Sequence, residues 1–173
     1  LVVLLLLLCG VHVAARAVVV YPPVVAGLEL QFPRDEGSHP DFRIEWWYVT
    51  GWIDAVDSKV RAPRGFQVTF FRVRTGLAAE NPSGFAPRQV LFAHAALADP
   101  AQGKLRHAQR SARVGFGLAY AREGSLDVQL DDWSLRQDQP GRYVTSVHGE
   151  DFTFELTLEA VQPPLLQGDG GYS

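Results

Sequence analysis

The sequence predicts an all-β fold, an antiparallel β-barrel or sandwich. Three observations predict it. Between Leu30 and Val161 apolar and polar residues alternate in successive short runs, the period of a strand with one buried face. These runs are rich in β-branched and aromatic residues, and Gly, Pro and Asp separate them without intervening helical patterns. The composition, 47% hydrophobic and 11% aromatic over 173 residues, supplies one core.

The elements follow in order. Leu1–Leu8 is an apolar run, and Ala15-Arg16-Ala17 has the small-x-small form of a signal-peptidase site, so residues 1–17 read as a secretory signal remnant. A buried strand or an anchor helix is the alternative; the run is shorter than the roughly 20 apolar residues of a membrane-spanning helix. Leu8-Cys9-Gly10 weakly resembles a lipoprotein box, with Leu8 bulkier than the small residue expected there, which keeps a lipid anchor open. A periplasmic or secreted location is therefore expected. Tyr21-Pro22-Pro23 marks 18–29 as an extended linker, and 30–173 forms the folded domain. Strands are predicted over Ile44–Ile53, Gly65–Arg74, Gln89–Ala98, Ser125–Leu135, Tyr143–His148 and Phe152–Ala160. Segment 104–122 fits either a Gly-broken strand or a short helix. The lack of methionine and the loop-like close Gln167–Ser173 lead us to expect further chain at both ends.

Several function classes drop out. Sixteen Lys and Arg against nineteen Asp and Glu give a net charge of −3 without a basic block, so no nucleic-acid partner is expected. The lone Cys9 can form neither an intrachain disulfide nor a Cys-based zinc site. The five histidines, at 12, 39, 94, 107 and 148, show no ligand spacing, so no metal is expected. No Gly-x-Ser-x-Gly elbow occurs, and Gly115-Phe116-Gly117 is too short a fragment for a phosphate loop. No cofactor is expected.

The densest chemistry lies in Phe42–Trp52. With period two, Ile44, Trp46, Tyr48, Thr50 and Trp52 share one face of the strand, and Arg43, Glu45, Trp47, Val49 and Gly51 share the other. Glu45 among these aromatics is either paired, with Arg43 or Arg72, or has a raised pKa and serves as a proton donor. In the next strand Gln67, Thr69 and Phe71 oppose Phe66, Val68, Phe70 and Arg72; the polar face suits a ligand-cavity wall or plain solvent. His94, among small neighbours, is a structural group or a catalytic one. His39, just before the Trp pair, fits a cavity mouth. Glu45 and His94 are the catalytic candidates; Trp46, Trp47, Tyr48, Gln67, Phe71 and Arg72 are the ligand-binding candidates.

Taken together, Gly37-Ser38-His39-Pro40, Glu45-Trp46-Trp47-Tyr48-Val49-Thr50-Gly51, Gly65–Arg72, Phe92–Ala96, Asp132-Trp133-Ser134-Leu135 and Leu165–Asp169 resemble the AttH-like family. This family is related to carotenoid 1,2-hydratase (hydroxyneurosporene synthase), and its bacterial members are often described as predicted secreted hydrolases. The resemblance spans about 30–173 and implies two consecutive lipocalin-like domains, of which this chain is the first. It also implies, more weakly, cofactor-free water addition to an alkene. That chemistry needs an acid to protonate the alkene and aromatic faces to stabilise the cation. The function expected is binding of an apolar lipid or isoprenoid-like ligand, with hydratase or hydrolase activity open. The alternative is a non-catalytic carrier or chaperone for a hydrophobic molecule, working with a membrane exporter. Expected partners are that small molecule, the second domain and the exporter.

Overall fold

The structure is a computed structural model and describes residues 19–54, 62–77 and 81–172. The expected signal segment and Cys9 lie outside the described residues. Among the described residues nine strands form two antiparallel sheets. The first sheet runs β1 (Ile44–Ile53), β2 (Arg64–Arg74), β3 (Gln89–Asp99) and β4 (Lys104–Arg113) in spatial order. The second runs β5 (Ala119–Ala121), β6 (Asp127–Leu130), β7 (Trp133–Gln139), β8 (Arg142–His148) and β9 (Thr153–Glu159). Every neighbour is the next strand in sequence, as short connections favour. The sheets face one another as an open sandwich.

Alternation decides what enters the core. Phe66, Val68 and Phe70 of β2 and Leu91, Ala93, Ala95 and Leu97 of β3 point inward. They meet Val128, Leu130, Trp133, Leu135, Val147 and Phe154 of the second sheet. Phe66 and Phe154 touch across the sandwich, with ring centroids 5.9 Å apart in an edge-on arrangement. These large side chains fill the space between the sheets, so the centre is packed core.

One prediction of local structure needs correction, and one left open is settled as the Gly-broken strand. The single strand expected over Ser125–Leu135 is two strands, β6 and β7, reversed at Asp131-Asp132. Asp131 takes the left-handed conformation there (φ 56°), which a short polar side chain tolerates better than an apolar one. Segment 104–122, open between strand and helix, is strand β4, then a turn through Gly115–Gly117, then β5. Arg106 and Arg110 of β4 reach over the sandwich edge: Arg106 Nη1 donates to Asp151 O at 2.7 Å and Arg110 Nη2 to His148 O at 3.0 Å. These contacts tie the β4 edge to the end of β8 and to the loop that follows it.

A strap, residues 34–43, crosses from one sheet to the other. It starts with a 3-10 turn, Arg34–Glu36. Ser38 N donates to Arg122 O at 2.7 Å, just after β5, which fixes the strap to the second sheet. Gly37 allows this approach, because a Cβ there would stand 2.6 Å from Gly124 N and 2.8 Å from Ser125 N. Gly37→Ala is expected to force the strap outward at a cost of about 1–3 kcal/mol, read as a lower urea midpoint.

The strap also carries an acid-sensitive contact. The Arg34 side chain, then the Gln31 backbone N–H, hold the Asp35 carboxyl well below the usual carboxylate range. A carboxyl depressed in the folded state stabilises fully above its unfolded value, near pH 4, and loses that contribution as the pH falls toward the folded value. Asp35→Asn is therefore expected to flatten the fall of thermal midpoint between about pH 4 and 2. A wild-type slope unchanged by the substitution would contradict this.

Candidate functional site

Strand parity divides the predicted site residues into two groups on opposite faces of the first sheet. Glu45, Trp47 and Arg72 face inward; Trp46, Tyr48, Gln67, Phe71 and His94 face outward. Glu45 and His94 therefore cannot act on one reacting atom.

Glu45 sits directly opposite Arg72 in the β1–β2 register. Arg72 Nε donates to Glu45 Oε1, and the Arg72 side chain is fully buried. The remaining arginine donors hold the strap: Nη2 donates to His39 O and Phe42 O, both at 2.9 Å. Glu45 also accepts from the Ser38 hydroxyl and from His39 N, at 2.8 Å on Oε2. His39 Nδ1 lies 3.3 Å from Oε2. Of the two readings open for this glutamate, the geometry matches pairing with Arg72: the pair fastens the strap to the sheet. His39 belongs to that fastening.

The outer face is an aromatic platform. Phe71 and Phe92 stack with centroids 4.5 Å apart, and His94 lies against both at 5.9 and 6.0 Å. Gln67 Nε2 donates to Thr69 Oγ1 at 3.2 Å. Beside them Trp46, Tyr48 and Trp52 are 55%, 62% and 76% exposed. A shallow groove of about 520 Å³ runs past Trp52 between Gln67, Ala96 and Leu105.

An apolar cleft opens at the seam where β1 and β9, edge strands of different sheets, face each other without a hydrogen-bonded ladder. Its volume is about 480 Å³ and its walls are Trp47, Val49, Leu126, Leu135 and Leu158, with Trp46 and Tyr48 also lining it. A second apolar cleft, about 490 Å³, is lined by Phe32, Pro33, Pro140 and Pro164. The two meet at Glu36, Tyr143 and Ala160. Both volumes lie in the range of small-molecule sites.

At the meeting point the Tyr143 hydroxyl donates to Glu36 Oε1 at 2.7 Å and Gln137 Nε2 donates to Glu36 Oε2 at 3.1 Å. Trp47 Nε1 donates to Glu36 O at 2.8 Å, joining β1 to the 3-10 turn. Burial, then the Glu36 carboxylate, push the Tyr143 phenol above its ordinary value, so the hydroxyl remains a donor at neutral pH. Sequence reasoning missed Glu36, Gln137 and Tyr143. Glu36 reads as part of a solvated Arg-Asp-Glu run, and its partners lie 101 and 107 residues away. Among the described residues, no group of three or more His, Cys, Asp or Glu side chains comes together as a metal site would require.

Comparison with known proteins bears on the chain as a whole. No curated protein matches it. A solved crystal structure from Nitrosomonas europaea, itself only provisionally assigned as an AttH, is 53% identical and superposes with a TM-score of 0.74. That match covers 88% of this chain and 44% of the Nitrosomonas chain, so the present chain spans less than half its relative's length. The family model described as AttH-like matches residues 23–173, from the proline-rich segment through the last strand and beyond. The strap, the Glu45–Arg72 fastening and the seam cleft all lie within that span, and the chain belongs to the AttH-like family.

Proposed function

We propose that this domain binds one apolar small molecule, a lipid or isoprenoid-like compound, in the cleft between β1 and β9. The observation that carries this reading is the wall of Trp47, Val49, Leu126, Leu135 and Leu158, which leaves apolar surface open at a seam while the centre is packed. Burying on the order of 300 Å² of ligand surface there contributes about 7.5 kcal/mol at about 25 cal/mol per Å². Before the costs of immobilisation, that bounds the affinity near micromolar.

Carriage fits this geometry best, because Glu45, the proton donor suggested by sequence, is held by Arg72. A catalytic version places water addition in the same cleft, with Glu36 as its nearest carboxylate. Turnover of a terminal isoprenoid alkene would separate the two. An exported carrier that hands its cargo to a membrane exporter accords with the resemblance. The exposed aromatic face of β1–β3 then suits contact with a further domain, since the Nitrosomonas protein continues for more than the matched length again.

The test is titration of the full chain with retinol, a fluorescent isoprenoid alcohol. Saturable binding of one equivalent with quenched tryptophan emission is expected. Leu158→Arg, which puts a charged head at the partly buried wall of the cleft, should weaken it at least tenfold without moving the thermal midpoint by more than a few degrees. Non-saturable uptake, or equal affinity in the variant, would overturn the assignment.

A further inference from the structure

The two clefts differ from a fatty-acid site in their charge. Among the described residues their lining includes the carboxylates Glu36 and Glu159 and no lysine, arginine or histidine. Glu36 is partly buried, and among the described residues its two oxygens accept from the neutral groups of Tyr143 and Gln137 alone. No basic side chain among the described residues lies within 4.0 Å of it.

A ligand tail filling the seam would strip water from this carboxylate and leave its charge without compensation, at a cost that falls if the ligand brings the opposite charge. An anionic head would meet like charge in a lowered dielectric. The inward-facing Trp47 and Tyr143 stand at the same place, with Phe32 in the adjoining cleft. Aromatic faces attract cations, most strongly when water is excluded, and together with a carboxylate they form the usual setting for an ammonium head.

We infer that the ligand of the seam cleft is a cationic amphiphile, whose amine or quaternary ammonium head sits at Glu36 among these rings and whose tail lies along Val49, Leu135 and Leu158. This rests on the reading of the cleft as an apolar-ligand site and adds the charge of the head group. An alcohol head, able to donate to Glu36 without charge, ranks second, and a carboxylate last.

The experiment compares three ligands of one chain length, dodecyltrimethylammonium, dodecanol and dodecanoate, titrated below micelle formation into the full chain at neutral pH and low salt. The trimethylammonium compound is expected to bind at least tenfold more tightly than dodecanoate. Glu36→Gln should bring the two within about threefold, while a matched surface variant, Glu155→Gln, leaves the preference intact. Equal or tighter binding of dodecanoate by the wild-type chain overturns the charge assignment and leaves the apolar site standing. Failure of all three ligands to bind overturns both. The wild-type comparison decides the charge class even if Glu36→Gln folds poorly.

Discussion

Arg72→Leu is expected to lower the unfolding free energy by about 4 kcal/mol, the upper part of the range for single substitutions. The fully buried guanidinium is the hydrogen-bond partner of Glu45, His39 O and Phe42 O at once. Its removal strands a largely buried carboxylate and two strap carbonyls, and stranded polar groups cost more than intact pairs contribute. Glu45→Gln removes the charge from the other side and leaves a buried cation with reduced compensation. It should destabilise in the same direction, by about 3 kcal/mol. The combined variant Arg72→Leu with Glu45→Leu should lose less than the two single losses added together, because neither charge is left alone. Urea unfolding of the four proteins measures this. If Glu45 is instead a proton donor, Glu45→Gln keeps its stability and loses turnover, and the account of the strap fails.

Trp133→Ala is expected to cost about 4 kcal/mol, within the range for deleting a large aromatic side chain from a core. Trp133 is fully buried at the start of β7, where it carries three roles. It fills the centre between the sheets; its Nε1 donates to His148 O at 2.9 Å; and Arg110 of β4 lies over its ring at 5.4 Å. Loss of the indole therefore opens a cavity and also loosens the β4 edge from the end of β8. Trp133→Phe keeps much of the volume but not the donor, so it should cost about half as much. A loss below about 1 kcal/mol for the alanine variant would mean that the two sheets are not packed through this residue.

How far the sequence speaks depends on range. The alternation in Ile44–Ile53 and Gly65–Arg74 correctly assigned each side chain to a face, because period two is a local property and a one-residue slip would turn the whole apolar set outward. The same parity already separated Glu45 from Trp46 and Tyr48. Pairing of Glu45 with Arg72, rather than with Arg43, needed the register between β1 and β2, which turn residues alone do not fix. The reversal at Asp131-Asp132 was hidden inside what reads as one continuous alternating run, since a two-residue polar turn scarcely interrupts the pattern. The site proposed here was the least legible part. Glu36 lies in the strap, Gln137 and Tyr143 lie on β7 and β8, and their meeting is a consequence of how the strap crosses the sandwich. Nothing in the local sequence around any of the three marks it.

The most direct measurement of the central claim is native mass spectrometry of the protein purified from its own cells, followed by exposure of the emptied protein to lipid extract. The account predicts one bound apolar molecule per chain, retained by the wild type and lost from Leu158→Arg. A protein that is empty as purified, and that takes up nothing from the extract, would contradict a ligand site at the seam between β1 and β9.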